Sequence, residues 1–369
     1  VMSWRGEKGG IEAARQGHDV VMTPGKPLYF DYSQSANEDS LTIGGYNSLK
    51  MVYDYDPVPH SLSAADATYI SGAQANLWTE YITNENKVEY MLFPRLSALA
   101  EVLWTSPEKK NWSRFEKNIS NLFSRYECWK SNYSKAFFDI QSSMGVSDSI
   151  TNQDLTWNLF CQEKQNKLRV TDPDGNITIS TGNKLNASIQ KSGTYKAIQL
   201  AGNKIIGDTL QQDFSINKAT GKKITLQTQP DKSYSVGGSL SLLDGIQNQK
   251  GMSKSSQFLG FFGNDLDATI DLGQIDSISS ITLHAFEQIA SWIHRPSKVT
   301  ISLSEDGVHF TDYENPVQSE LKSHIYYKQE LHTKARYIRI KAINYGLIPS
   351  GKPGNGYRAW LFADEIKVF

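Results

Sequence analysis

Apolar positions in the first third of the chain fall into two rhythms. Short runs bounded by Gly or Pro, Val1-Met2-Ser3-Trp4 and Val20-Val21-Met22, read as strands. Between them, after Arg5-Gly6 and Gly9-Gly10, residues 11–16 read as a short helix. A small-residue apolar run at 70–77 ends in Trp78-Thr79-Glu80-Tyr81, and the period-two alternation of a strand sets Trp78 and Glu80 on one side of its end. Val88, Met91, Leu92, Leu96, Leu99, Val102 and Leu103 then recur at helical spacing and predict one helix over 88–104. Ser106-Pro107-Glu108 restarts the chain with helix-opening chemistry, and Phe115, Ile119, Leu122, Phe123 and Tyr126 trace another amphipathic helix ending near Tyr133. Residues 35–66, with Asp54, Asp56, Pro57, Pro59 and His60, predict a long loop of the kind that serves a rim or subsite. Strand–loop–helix units with polar residues at the strand's C-terminal end are how (β/α)8 barrels carry their active sites.

The rhythm changes near residue 140. From 145 to 229 short runs rich in Thr, Ile, Val and Lys, such as Thr178-Ile179-Ser180 and Ile224-Thr225-Leu226, are broken by turn residues. Asp172-Pro173-Asp174-Gly175, Ser192-Gly193 and Thr220-Gly221 are the breaks, and together they predict a small antiparallel β-sandwich. Residues 230–234 read as a linker. Beyond it the turn Leu242-Leu243-Asp244-Gly245 precedes strand-like runs at 268–273, 280–284, 299–304, 335–340 and 360–368.

Composition narrows the function classes. A chain of 369 residues has room for two or three domains, and 39% hydrophobic content can supply their cores. The net charge of −1 offers no basic field for nucleic acid, and no apolar run approaches the length of a membrane span. Eighteen Tyr and eight Trp fit a protein that handles carbohydrate. Cys128 and Cys161 are too isolated for a metal motif and do not by themselves imply a disulfide.

An indole beside a carboxylate suits a sugar, whose C–H face stacks on the ring while its hydroxyls donate to the acid. The run at 72–104, GAQANLWTEYITNENKVEYMLFPRLSALAEVLW, closely resembles the last strand and helix of family 20 glycoside hydrolases, the β-N-acetylhexosaminidases. Val1-Met2-Ser3-Trp4-Arg5-Gly6 resembles that family's sixth barrel strand, and Tyr29-Phe30-Asp31 resembles the Tyr-x-Asp ending its seventh. The segment at 145–229 loosely resembles the β domain that follows the barrel in chitobiases. The order and wording of the runs from 242 to 368 resemble a discoidin-like, coagulation-factor C-type domain, a jelly roll shared with family 32 carbohydrate-binding modules. The resemblance thus implies a multidomain chain. The last three strand–helix units of a (β/α)8 TIM barrel fall at 1–140, a small β-sandwich at 141–231 and a discoidin-like β-sandwich at 232–369.

It also implies a reaction. Family 20 enzymes use substrate-assisted retaining hydrolysis, outside the ordinary two-carboxylate scheme. The 2-acetamido oxygen attacks the anomeric carbon, a Glu protonates the leaving oxygen, and a neighbouring Asp orients the acetamido N–H. On this chain Tyr29 would donate to the acetamido oxygen, Asp31 and Glu80 would accept from the sugar's C4 and C6 hydroxyls, and Trp4 and Trp78 would line the pocket. Ordinary barrel packing is the alternative for the two Trp. The Asp-Glu acid pair has no match: Asp364-Glu365 lies in the closing strand, without the motif's glycines or His. The chain therefore reads as the C-terminal portion of a longer enzyme, with the acid upstream of Val1. Arg95 is expected to form a structural ion pair, with Glu101 as partner.

No cofactor is expected for catalysis. In the third domain the resemblance implies a structural Ca²⁺ between Asp244 and Glu365, the alternative being a turn-forming Asp and a solvated Glu. Trp292, His294 and Arg295 sit in an expected loop and suit a sugar, or Trp292 anchors a domain interface. The implied partner is a glycan or chitooligosaccharide with a terminal N-acetylhexosamine, met in a secreted, periplasmic or cell-surface setting. The rival class is a non-catalytic carbohydrate-binding or adhesive fragment.

Overall fold

The structure, a computed structural model, describes residues 1–35, 42, 45–147, 154–314 and 316–369. It forms two compact units, Val1–Asp139 and Ile140–Phe369. Among the described residues no helix is long and apolar enough to cross a membrane.

The first unit is built on three parallel strands, β1 (Met2–Ser3), β2 (Val20–Met22) and β3 (Ile70–Ala73), adjacent in chain order. Helix Lys8–Arg15 crosses from β1 to β2 and begins earlier than the sequence suggests, taking in Gly9 and Gly10. The reason is contact. A Cβ on Gly10 would sit 2.8 Å from Met22 Sδ and 3.1 Å from Ser3 Cβ, and its N–H donates to Ser3 Oγ at 2.8 Å. Only glycine lets the helix lie this close to the sheet.

Residues 88–104 are not one helix. Helices Glu85–Leu92 and Arg95–Trp104 meet at a break, with Phe93 extended (ψ 139°) before Pro94. Proline has no N–H to continue the ladder and forces its predecessor out of the helical region. The stretch 35–66 is not simply loop either. It contains helix Leu49–Asp54, capped by Ser48 Oγ accepting from the Met51 N–H, and the short helix Ala64–Ala67. Leu49, Val52 and Tyr53 are buried in the same core as Met22, Phe30 and Leu99. Helix Trp112–Trp129 lays Phe115, Ile119, Phe123 and Tyr126 on that core, and ends at Lys130 in the left-handed region rather than at Tyr133.

The second unit is all β apart from short 3₁₀ turns. β4 (Gln141–Val146), β5 (Leu155–Phe160), β6 (Lys167–Thr171), β7 (Ile177–Ile179), β8 (Lys184–Ser188), β9 (Gly193–Ala201) and β10 (Lys204–Phe214) form two antiparallel sheets, β4-β5-β8 and β10-β9-β6-β7. Trp157, Leu168, Tyr195 and Phe214 fill the space between them. The remaining strands are β11 (Lys223–Leu226), β12 (Leu259–Phe262), β13 (Leu266–Phe286), β14 (Lys298–Ser304), β15 (Thr311–Glu314), β16 (Val317–Leu321), β17 (His324–Ile343) and β18 (Trp360–Val368). They join in an eight-stranded system ordered β12-β18-β13-β17-β14-β15, with β11 on β13 and β16 on β17. The run Ile224-Thr225-Leu226, expected in the small sandwich, therefore belongs to the larger sheet. Its register is Ile224 opposite Ile270 and Leu226 opposite Ala268, and both apolar side chains pack on the larger core.

Candidate functional site

The parallel strands of the first unit all point the same way, and the residues following β2 and β3 meet at their C-terminal end. β3 stops at Ala73, but an isolated parallel bridge between Tyr29 and Asn76 carries the pairing further. Phe30 N–H donates to Asn76 O at 2.7 Å and Asn76 N–H to Leu28 O at 2.9 Å. Trp78 and Glu80 lie in the loop just past this bridge. Their proximity is thus the work of the bridge and not of strand alternation.

Four of the five expected site residues come together here. The Tyr29 and Trp78 rings stand 6.4 Å apart at 58°. Asp31, Trp78, Glu80, Tyr81 and Lys87 border one small pocket. Asp31 is buried, and its Oδ1 meets no hydrogen-bond donor among the described residues. Burial pushes its pKa up, the backbone N–H groups of Asp31 and Trp78 pull it back, neighbouring Glu80 raises it and Arg95 lowers it. Glu80 is exposed. Trp4 stands apart from this pocket, 52% exposed, with the Arg5 guanidinium 4.6 Å over its ring.

Arg95 does not pair with Glu101. Glu101 takes Arg114 at 3.2 Å and the Tyr53 hydroxyl at 3.3 Å. The fully buried Arg95 guanidinium instead donates to four backbone carbonyls: Tyr32 and Asn47 at 3.0 Å each, Phe30 at 2.5 Å and Met91 at 2.6 Å. Asn47, also fully buried, donates through Nδ2 to the carbonyls of Gly25 and Tyr29, both at 2.8 Å. The sequence singled out Arg95 by its place in an apolar helix but gave it the wrong partner. For Asn47 it carried no signal, since nothing local marks a loop Asn as a carbonyl clamp.

In the second unit the three loop residues have different surroundings. Trp292 adopts a left-handed backbone (φ 63°) and stacks on Tyr357 at 4.9 Å and 18°. His294 is buried under Tyr345, its ring 4.4 Å away, and burial followed by nearby Lys352 lowers its pKa. Arg295 pairs with Glu287 through Nε at 2.9 Å and with Glu320 at 3.0 Å, so its fork is already engaged.

Asp244 and Glu365 are both buried close together, and burial drives both well above the usual carboxylate range. Asp364 raises both, and Asp244 raises Glu365 further. Glu365 is therefore not the solvated residue of the plain alternative. As a calcium shell the pair falls short: Ca²⁺ takes roughly six to eight oxygens. Here Asp244 accepts the Ile246 N–H at 2.9 Å and Glu365 the Gly245 N–H at 3.2 Å. Among the described residues no group of three or more His, Cys, Asp or Glu is placed to hold a metal.

Comparison with known proteins gives each unit relatives. Residues 1–107 match glycosyl hydrolase family 20, catalytic domain, and residues 223–357 match the F5/8 type C domain. A beta-hexosaminidase of Porphyromonas gingivalis is 45% identical over 135 residues, covering 36% of this chain and 17% of that protein. A beta-N-acetylhexosaminidase of Cellulomonas fimi is 32% identical over 111 residues, covering 30% and 22%. A beta-hexosaminidase of Vibrio furnissii is 35% identical over 105 residues, covering 27% and 17%. The chain thus spans between 17% and 22% of the length of these relatives. Residues 1–107 belong to the catalytic domain of glycosyl hydrolase family 20, and residues 223–357 to the discoidin-like F5/8 type C domain.

Proposed function

We propose that this chain supplies one wall of the −1 subsite of a β-N-acetylhexosaminidase, an enzyme releasing terminal β-linked GlcNAc or GalNAc by substrate-assisted retaining hydrolysis. The observation that carries this reading is the convergence of Tyr29, Asp31, Trp78 and Glu80 past the C-terminal ends of parallel strands. Tyr29 donates its O–H to the acetamido oxygen as charge gathers on it. Asp31, with a buried oxygen that meets no donor among the described residues, accepts a sugar hydroxyl, and exposed Glu80 accepts a second. Trp78 offers its ring face. The general acid and the acetamido-orienting Asp come from outside residues 1–369. The chain's sole Asp-Glu pair sits fully buried in β18, where it reaches no substrate.

An all-parallel three-stranded sheet supports the barrel part of this reading. Such sheets are found with both faces and both edges covered, and here β1 and β3 are open edges beside exposed Val1, Met2 and Trp104. Closing the sheet with five further strand–helix units would cover them. This enzyme reading carries with it an extracellular, periplasmic or cell-surface location.

A second reading has its own observation. The F5/8 type C domain presents Trp292, stacked on Tyr357, at its loop end, and a carbohydrate-binding or adhesive role would rest on that aromatic pair.

The deciding experiment compares two variants in the polypeptide that contains residues 1–369 and cleaves an aryl β-N-acetylglucosaminide. Tyr29→Phe should lower kcat by ~10²–10³-fold with little change in KM, the loss typical of one donor aimed at developing charge. Glu80→Gln should show a substantial part of its loss in KM, because its contacts exist in ground and transition states alike. If Tyr29→Phe leaves kcat untouched, the substrate-assisted role is wrong. If no polypeptide containing these residues turns over the substrate, the binding-module reading takes its place.

A further inference from the structure

Tyr29 and Asp31 lie beyond the regular strand, where the isolated Tyr29–Asn76 bridge is all that continues the sheet pairing among the described residues. Two fully buried polar side chains add to that hold. Arg95 grips the carbonyls of Phe30 and Tyr32, the residues on either side of Asp31. It anchors them to Met91, on the preceding helix, and to Asn47, whose carbonyl it also holds. Asn47 in turn grips the carbonyls of Gly25 and Tyr29. Three carbonyls within residues 29–32 are therefore held by two side chains remote in sequence, and the Arg95 charge also bears on the Asp31 carboxylate. An arginine that ties the two carbonyls flanking Asp31 to those of Asn47 and Met91 is placed to set geometry.

We infer that Arg95 and Asn47 are positioning residues for the proposed subsite, Arg95 holding Asp31 and Asn47 holding Tyr29. Neither touches substrate. The inference rests on the functional reading above for its catalytic meaning, but its geometric content stands without it. Arg95 is suited to the role because its planar fork serves several carbonyls at once, which a lysine cannot do. Misplacement of a reacting group by about 1 Å costs on the order of 10²-fold in rate, so a clamp of this kind is read in kcat/KM.

The test has two arms. In the polypeptide that cleaves the aryl substrate, double-mutant cycles pair Arg95→Lys with Asp31→Asn, and Asn47→Ala with Tyr29→Phe, all measured well below each variant's Tm. Arg95→Lys should cost ~10²-fold in kcat/KM in the native background and about threefold or less once Asp31 is already Asn, since it acts through that residue. Asn47→Ala should behave likewise against Tyr29→Phe. Additive losses in both cycles would overturn the inference, because a merely structural defect does not depend on the second site. The other arm needs no activity. In the 369-residue chain itself, NOEs between the Tyr29 and Trp78 rings should weaken or vanish in Asn47→Ala while the chain remains folded. Unchanged NOEs would show that Asn47 does not place Tyr29. Should Tyr29→Phe alone leave kcat intact, the functional reading fails, and the NOE arm still decides the positioning.

Discussion

Asp31 shows how a buried carboxylate is kept at the expense of stability. It is 6% exposed with one oxygen lacking a donor among the described residues, and burial holds its pKa above the ordinary value despite the help of Arg95. Because the folded value exceeds the unfolded one, near 3.9, the native state binds the proton more tightly. Stability is then highest below the unfolded value and falls as pH rises through the folded one. Asp31→Asn removes the ionisation while keeping the shape, so it should melt a few degrees above the native chain at pH 7 and level with it near pH 3. Thermal midpoints at the two pH values decide this, and equal midpoints at pH 7 would mean the carboxylate is fully compensated in the native state. Arg95 is the opposite case. Each of its charge-assisted hydrogen bonds typically contributes ~1.5–3 kcal/mol, and each truncation leaves buried carbonyls without donors. The sequence marked both residues, Asp31 by motif and Arg95 by its place in an apolar face. What no local pattern carried was that Arg95 serves the backbone around Asp31, because the two carbonyls it holds there lie 63 and 65 positions away along the chain.

Elements were legible wherever a single period repeats. The helix carrying Phe115, Ile119, Phe123 and Tyr126 and the strand Val20–Met22 follow from spacing alone. The boundaries did not, because single residues set them: Pro94 splits a continuous helical pattern, and Gly10 joins a helix because the sheet comes within contact of it. The loop end of the F5/8 type C domain depends on another such residue. Gly354 has φ +82°, and a Cβ there would stand 2.6 Å from Trp292 Cδ1. Gly354→Ala should therefore push Trp292 off Tyr357 and destabilise the domain by about 1–3 kcal/mol, through overpacking and backbone strain together. Loss of the aromatic near-ultraviolet dichroism from this stacked pair, with a lowered denaturation midpoint, is the expected result. An unchanged spectrum would mean the loop moves instead of the ring.

At the scale of the whole molecule, the cut expected at residue 232 removes strand β11 and the turn before it from the sheet they complete. β11 pairs with β13, Ala219 is fully buried in the same core, and Asn217 Oδ1 accepts the Val368 N–H at 3.1 Å. A fragment of residues 232–369 should therefore melt roughly 5–15 °C below one of residues 216–369, the loss expected for a few partly buried apolar side chains and an unpaired strand edge. Calorimetry on the two fragments checks it, and equal midpoints would show that β11 adds nothing. The sequence by itself determined the alternation of strands and helices before residue 140 in outline and the all-β character after it, because those follow from period and turn chemistry. Only the tertiary structure decided which strand joins which sheet, which carbonyls Arg95 and Asn47 hold, and that Trp78 and Glu80 reach Asp31 through the Tyr29–Asn76 bridge. Pairing and clamping are contacts between residues far apart in the chain, and their energy depends on a geometry that exists only once the chain has closed on itself.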